Sequence, residues 1–270
     1  MSGVPDITVT AIFHREGALA LPALASMRDL VDTARAAGLG VEARAVLDRG
    51  DETTRHVIAA RGYWLDGVEE SSVGDPGLAR NAGVRSAAGD FLAFLDGDDL
   101  WGRDWLRLAH ASATAQDAPA AAICHPQDLF YFTEGDFDRS SGTSVPNPAS
   151  QSFFMNQRAS EDPGFDRDAL FLNNIWTVNV FAPRSLHERF PYFSVERARG
   201  FGIEDWSWHV ATQWSGIPHR IVADTVHMIR VKEFGSMGRR NAAEGLLPHL
   251  PDDVLPLLGN QRLRGASFAP

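Results

Sequence analysis

Apolar and polar residues alternate at period two through Ile7, Val9, Ala11 and Phe13, which predicts a strand over 7–13. The period then lengthens. Leu24, Met27, Leu30, Val31 and Ala34 recur at helical spacing, and Gly38 ends the run. Alternation returns in VEARAVL, 41–47, which stops at Asp48, and DETTRHVIAARG, 51–62, reads as a short helix capped by Asp51. A weaker strand is expected near 63–68. Asp75, Pro76 and Gly89 carry the cap, first-turn and stop signals of another helix. FLAFL, 91–95, is a continuous apolar run, the pattern of a strand covered on both faces. A helix over about 103–117 and an apolar strand over 120–124 continue the alternation.

Strand–helix–strand order repeated in this way predicts an α/β fold, a doubly wound, mostly parallel sheet with helices on both faces. The alternation breaks over 133–168, a stretch rich in Ser, Gly, Pro, Asp and Asn. So long a segment without periodicity is expected to be a functional loop or lid. Order returns at LFLNNIWTVNVFAP, 170–183. A helix follows, with Ile203, Trp206, Val210, Ala211 and Trp214 as its expected core face, and HRIVADTVHMIRV, 219–231, is strand-like. The tail from Pro248 onward reads as loosely structured. No linker or repeat divides the chain, so a single domain over 1–270 is expected.

Composition narrows the function. With 270 residues, 44% of them hydrophobic, the chain can bury a sizeable core. The net charge is −10 and no Lys/Arg run stands out, which argues against nucleic acid as a partner. The single cysteine, Cys124, lies in AAAIC; it excludes an intrachain disulfide framework and reads as a buried small side chain. No basic leader opens the sequence, and no stretch reaches the roughly 18 apolar residues that would span a bilayer. A cytoplasmic location is the expectation, with peripheral attachment at the inner face of the cell membrane left open.

The chemistry concentrates in FLAFLDGDDLW, 91–101, where an apolar strand runs straight into Asp96, Asp98 and Asp99. Open α/β sheets bind ligands beyond the carboxyl ends of their strands. Asp48 ends the second strand in the same manner. Crowded carboxylates repel one another unless a cation neutralises them, and a hard divalent ion such as Mg²⁺ or Mn²⁺ prefers oxygen ligands shared with a phosphate. A polar turn capping the next helix is the competing reading.

LARNAGVRSAAGDFLAFLDGDD, 78–99, resembles the core signature of family 2 glycosyltransferases of the GT-A fold, matching it at Ala79, Arg80, Asn81, Gly83, Ala87, Gly89, Leu95, Asp96, Asp98 and Asp99. The resemblance implies a nucleotide-diphospho-sugar donor, expected to be a UDP-sugar, bound by the half 1–125. It puts Asp98 on the divalent metal ion, Asp96 on the ribose or sugar, Asp48 on the base and Arg80 in support of the donor. The family's opening PTYN-like segment is replaced by AIFH, 11–14, where Phe13 could stack on the base without the tyrosine hydroxyl. GFGIEDWSWHVATQW, 200–214, resembles the family's acceptor-side motif in the half 126–247. It implies Asp205 as general base, with Glu204 as a second candidate, acting on a hydroxyl of a glycan or lipid-linked acceptor. His227 is a candidate third metal ligand, Arg230 and Lys232 are candidate diphosphate contacts, and Trp208 is preferred to Trp176 and Trp206 as a sugar platform. Together these imply a metal-dependent, inverting transfer in cell-surface polysaccharide synthesis. A sugar nucleotidyltransferase is disfavoured because HREG, 14–17, is not a basic Gly-rich phosphate loop; a non-catalytic sugar-nucleotide or glycan binder is the remaining alternative.

Overall fold

A computed structural model describes residues 3–119, 121–133, 152–232 and 237–249, with backbone alone at 237–239. Its centre is a sheet of nine strands, built from β1 (Ile7–Phe13), β2 (Val41–Asp48), β3 (Gly67–Ser71), β4 (Phe91–Asp96), β5 (Leu100–Trp101), β6 (Ile123–Phe132), β7 (Phe153–Asn156), β8 (Phe181–Pro183) and β10 (His219–Arg230). The order is β3-β2-β1-β4-β8-β6-β10-β5, with β7 added to β6. The first four strands in this order are mutually parallel, as the alternation of strands and helices predicts. β8 runs antiparallel between β4 and β6, so the doubly wound half passes into a mixed half. β6 and β10 pair in parallel, and β5 folds back antiparallel on β10.

The helices are α1 (Ala20–Ala36), α2 (Glu52–Arg61), α3 (Pro76–Ser86), α4 (Trp105–Ala113), α5 (Arg184–Arg189), α6 (Glu204–Trp214) and α7 (Met237–Ala243). α1, α2 and α4 close one face over Ile7, Val9, Ala11 and Phe13. α3, α5 and α6 close the other over Ile12, Val46, Leu92 and Phe94. This two-sided cover buries all seven residues of β1, including the polar Thr8 and Thr10. Thr8 remains satisfied: its hydroxyl donates to Glu42 at 2.6 Å and accepts from the Gly89 N–H at 2.8 Å. No described helix is long and apolar enough to cross a membrane.

Element positions follow the pattern with informative departures. The strand expected near 63–68 lies at Gly67–Ser71, and the one over 120–124 extends through Phe132 because β7 and β10 pair along it. Within 133–168, the described part includes strand β7, stacked on β6 through Tyr131–Phe153 and Phe130–Phe154 ring pairs; 134–151 lie outside the described residues. The tail beyond 249 is also outside them, but Leu247–Pro248 (β11) pairs with Phe201–Gly202 (β9) in a small second sheet.

The expected face of α6 is corrected. Trp208 is wholly buried and its indole N–H donates to the Phe190 carbonyl at 2.6 Å, so it is no sugar platform. Trp206 is only half-buried and donates to Leu170 at 2.5 Å, and Trp176 is buried in the same cluster. The reason is that α6 is covered on two sides, by the sheet-side cluster around Trp208 and by a second cluster of Leu170, Trp176 and Val210. A single amphipathic stripe cannot register two burying partners.

The glycines of the 78–99 motif are packing residues. A Cβ on Gly89 would stand 2.4 Å from the Thr8 backbone nitrogen, and one on Gly83 would stand 3.0 Å from Phe94. Gly89→Ala is expected to lower the unfolding free energy by about 1–3 kcal/mol, read from urea unfolding, because the backbone at Thr8 cannot yield as a flexible side chain would.

Candidate active site

The carboxyl ends of three adjacent strands form the site. In register, Ile12 of β1 pairs with Val46 on one side and Asp96 on the other, so Asp48 and Asp96 flank the exit of β1. Asp48 is buried, and its carboxylate accepts the Gly74 N–H at 3.0 Å. Its carbonyl oxygen lies 2.5 Å from His14 Nδ1. Phe13, expected to stack on a base, is corrected to a core residue: it is 0% exposed and lies beneath Gly97, where a Cβ would come within 2.4 Å of its ring.

The turn after β4 meets the end of β10. The β5–β10 pairing sets His227 opposite Trp101 and brings the following residues over the aspartates. Lys232 Nζ is 2.5 Å from Asp98 Oδ2, and Arg230 Nε donates to the Asp98 carbonyl at 2.9 Å. Asp99 accepts from the Arg230 backbone N–H at 2.8 Å and lies 2.9 Å from His227 Nε2. His227 Nδ1 faces the Thr177 hydroxyl at 3.2 Å. Both imidazole nitrogens are thus engaged, and the expected place of His227 on a metal at Asp98 is corrected to a place on Asp99.

The donor chemistry of Asp98 suits a hard divalent cation. Burial, followed by repulsion from Asp99, holds its carboxyl above the usual range in spite of Lys232. Among the described residues no three His, Cys, Asp or Glu side chains are grouped to hold a metal, so the protein offers Asp98 as a candidate single carboxylate donor and not a complete ligand set.

Arg80 links this cluster to the acceptor side. It projects from α3, only 4% of its side chain is exposed, and it bonds Asp96 at 2.6 Å and Glu204 at 2.5 Å. Burial opposes its charge, but Asp96 and Glu204 more than offset that and keep it protonated. Arg80 is therefore an internal clamp between Asp96 and Glu204. Burial raises Asp96 to about 6, with Arg80 opposing and Asp99 and Asp98 adding to the rise. Glu204 is buried on Arg80, which removes it as a candidate base. The next residue of the motif, Asn81, bonds Tyr192 twice, donating to its carbonyl at 2.8 Å and accepting its N–H at 2.9 Å.

Asp205 occupies the first turn of α6, just after Ile203, whose φ of 60° marks a strained entry to the helix. One carboxylate oxygen accepts the Trp206 N–H at 2.8 Å and the other accepts from Asn174 at 3.1 Å. Burial raises its pKa, with Arg80 and the Trp206 N–H opposing. Burial raises Tyr131, and the charges of Asp99 and Asp205 add to the rise.

Sequence reading missed Glu16, Asn174 and Tyr131. Glu16 is raised to about 7 by burial and by Asp98, against its hydrogen bond from the His14 N–H and the pull of Lys232. Nothing local distinguishes it; the parallel pairing of β1 with β4, which sets Ile12 beside Asp96, brings the segment after β1 next to Asp98.

Residues 70–164 match the model of Glycosyl transferase family 2, which takes in Arg80, Asp96, Asp98 and Asp99. This segment belongs to glycosyl transferase family 2. Within the chain, 75 residues are 41% identical to the succinoglycan biosynthesis protein ExoW of Rhizobium meliloti (strain 1021), covering 27% of this chain and 24% of that protein. The match thus spans about a quarter of the relative's length. The fold is similar to S. aureus TarS 1-349 in complex with UDP-GlcNAc, with TM-score 0.57 and 16% identity over 98% of this chain and 73% of that one. It is equally similar to the mannosyltransferase PcManGT from Pyrobaculum calidifontis in complex with GDP-Man and Mn²⁺, TM-score 0.57 and 17% identity over 90% and 62%. These likenesses show the GT-A fold for the chain.

Two consequences follow from the charges. Arg80→Met strands Asp96 and Glu204 and is expected to cost about 3–5 kcal/mol in urea unfolding at pH 8, with a smaller loss at pH 5, where these acids take up protons. Glu16 rises from 4.5 unfolded to about 7 folded, so its contribution to stability is full below 4.5 and is lost as pH climbs through about 7. Across that window the wild-type melting temperature should fall relative to Glu16→Gln.

Proposed function

We propose that the chain is an inverting, metal-dependent glycosyltransferase. It would move a sugar from a nucleotide-diphospho-sugar, a UDP-sugar, to a hydroxyl of a glycan or lipid-linked acceptor in surface polysaccharide synthesis. The supporting observation is the Arg80 clamp, which holds the donor-end carboxylate Asp96 and the acceptor-side Glu204 on one guanidinium and so sets Asp205 beside the donor cluster. The solved relatives named above bind UDP-GlcNAc and GDP-Man, and the curated one acts in polysaccharide synthesis.

In this reading Asp48 meets the nucleoside at the end of β2, and Asp96 the ribose or sugar. A divalent ion held by Asp98 supplies charge stabilisation for the departing diphosphate. Lys232 and Arg230 add positive charge at the same place. Asp205 takes the proton of the acceptor hydroxyl as the sugar carbon passes through an oxocarbenium-like state. The raised proton affinity of its carboxylate suits a base, since a carboxylate at its ordinary value holds a proton weakly. One base opposite one leaving group gives a single displacement with inversion. We infer action on the cytoplasmic side, where nucleotide sugars are available, at the inner membrane face when the acceptor is lipid-linked.

Thermal stability measured with UDP, GDP, CDP and dTDP, each with and without Mn²⁺, tests the donor half. UDP with Mn²⁺ is expected to stabilise, by about 2.7 kcal/mol at 100 times its dissociation constant, and Asp98→Ala to abolish the gain. Absence of stabilisation by every nucleotide refutes the donor reading. Asp205→Asn is expected to slow transfer by about 10²–10⁴-fold while UDP binding persists; unchanged transfer refutes the base assignment.

A further inference from the structure

Asp205 differs from the other carboxylates of the cleft in what holds it. Asp96 and Glu204 lie on Arg80, and Asp98 on Lys232. Asp205 is held by a backbone N–H and a side-chain amide. An ionised carboxylate only accepts, so the Asn174 group facing it is the NH₂, and the Asn174 carbonyl oxygen points the other way. That oxygen lies 3.3 Å from His209 Nδ1. It too only accepts, so Nδ1 of His209 carries the proton and Nε2 does not.

His209 is fully buried among the rings of His125, Trp176, Trp208 and His219, at centroid distances of 5.4–5.8 Å. Its Nε2 is buried with no hydrogen-bond partner among the described residues, which fits an unprotonated nitrogen better than a stranded N–H. Burial holds its pKa down at about 3, so the ring is neutral across the working range. The series Asp205–Asn174–His209 thus carries one negative charge, at Asp205, and ends in an aromatic nest that cannot rotate freely.

We propose that Asn174 and His209 are positioning residues for the general base: a neutral amide–imidazole pair that fixes the rotamer of Asp205 and leaves its basicity largely intact. This rests on the reading of Asp205 as base. The choice of a neutral pair has a chemical reason. A guanidinium or ammonium in the same place would hold the carboxylate equally well but would stabilise the anion strongly and weaken it as a proton acceptor. An amide orients at a smaller cost in basicity.

The test follows the Asp205 carboxyl itself. In protein labelled with ¹³C at aspartate carboxyls, the Asp205 resonance is assigned by its absence in Asp205→Asn and titrated in each variant. Arg80, Asp96, Glu204, Tyr131 and Tyr192 also face Asp205 and stay constant throughout. Asn174→Ala removes a donor to the anion, so the midpoint should move to higher pH. His209→Leu should move it in the same direction. His209→Asn, whose amide N–H reaches roughly where Nδ1–H lies, should remain at the wild-type value. Slow hydrolysis of UDP-GlcNAc or GDP-mannose, water standing in for the acceptor, supplies the kinetic arm. There kcat of Asn174→Ala should fall about tenfold, with the donor KM unchanged and the acid limb of the pH profile displaced upward. A wild-type titration and kcat in Asn174→Ala, or equal impairment of His209→Asn and His209→Leu, overturns the positioning while a collapsed Asp205→Asn leaves the base reading intact. Hydrolysis at the wild-type rate in Asp205→Asn sinks the base reading, and the proposal with it.

Discussion

A guanidinium taken out of water must be answered by negative charge, and that requirement at Arg80 organises the cleft. Its two partners come from elements far apart in sequence, the end of β4 and the first turn of α6. Neither carboxylate could be buried alone, because an isolated ion loses more hydration than the interior returns. The three are therefore mutually obligatory. Satisfying Arg80 fixes where α6 begins, and the residue after Glu204 is Asp205. Asn81, one position along α3, adds a neutral two-way bond to Tyr192, so consecutive motif residues tie the donor half to the segment that leads into α6.

The remaining acids are sorted by their partners. Asp98 meets a lysine on a segment that follows the last long strand, a contact a competing cation can replace. Asp99 is committed to His227 and to the Arg230 backbone, and so anchors β10 over the turn. Among the described residues, Asp205 has no cation in hydrogen-bonding contact. Carboxylates of one chemical type thus receive different surroundings, and the surplus negative charge is met by individually placed cations. The cleft sits where strand ends meet, and there backbone N–H groups such as those of Gly74 and Arg230 are also available to carboxylates.

Much of the N-terminal half is local in character. Strand and helix periods and the Asp75 cap on the Leu78 N–H are set by near neighbours, whereas Gly83 and Gly89 answer to clearance against Phe94 and Thr8 of other elements. The positions of Asp48 and Asp96 at the ends of β2 and β4, with Asp98 two residues beyond, could be read from the strand pattern, and in a parallel sheet strand ends share one edge. Phe13 shows the limit. It too stands at a strand end, but its side chain points beneath Gly97, and the side taken by one residue at a strand terminus depends on what covers the sheet.

The sequence by itself determined the α/β alternation, the strand ends that share one edge of the sheet and the identity of the carboxylates crowded there, since these depend on period, propensity and adjacency. Tertiary structure decided which charge neutralises which. Arg80 with Glu204, Lys232 with Asp98, and Asn174 with Asp205 join residues separated by 124, 134 and 31 positions. It also decided that Trp208 is core and Trp206 half-exposed, because α6 is covered from two sides. The physical reason is the same in each case: burial and counter-charge belong to whatever the folded chain brings within a few ångströms, and no local pattern encodes a partner that arrives from another element.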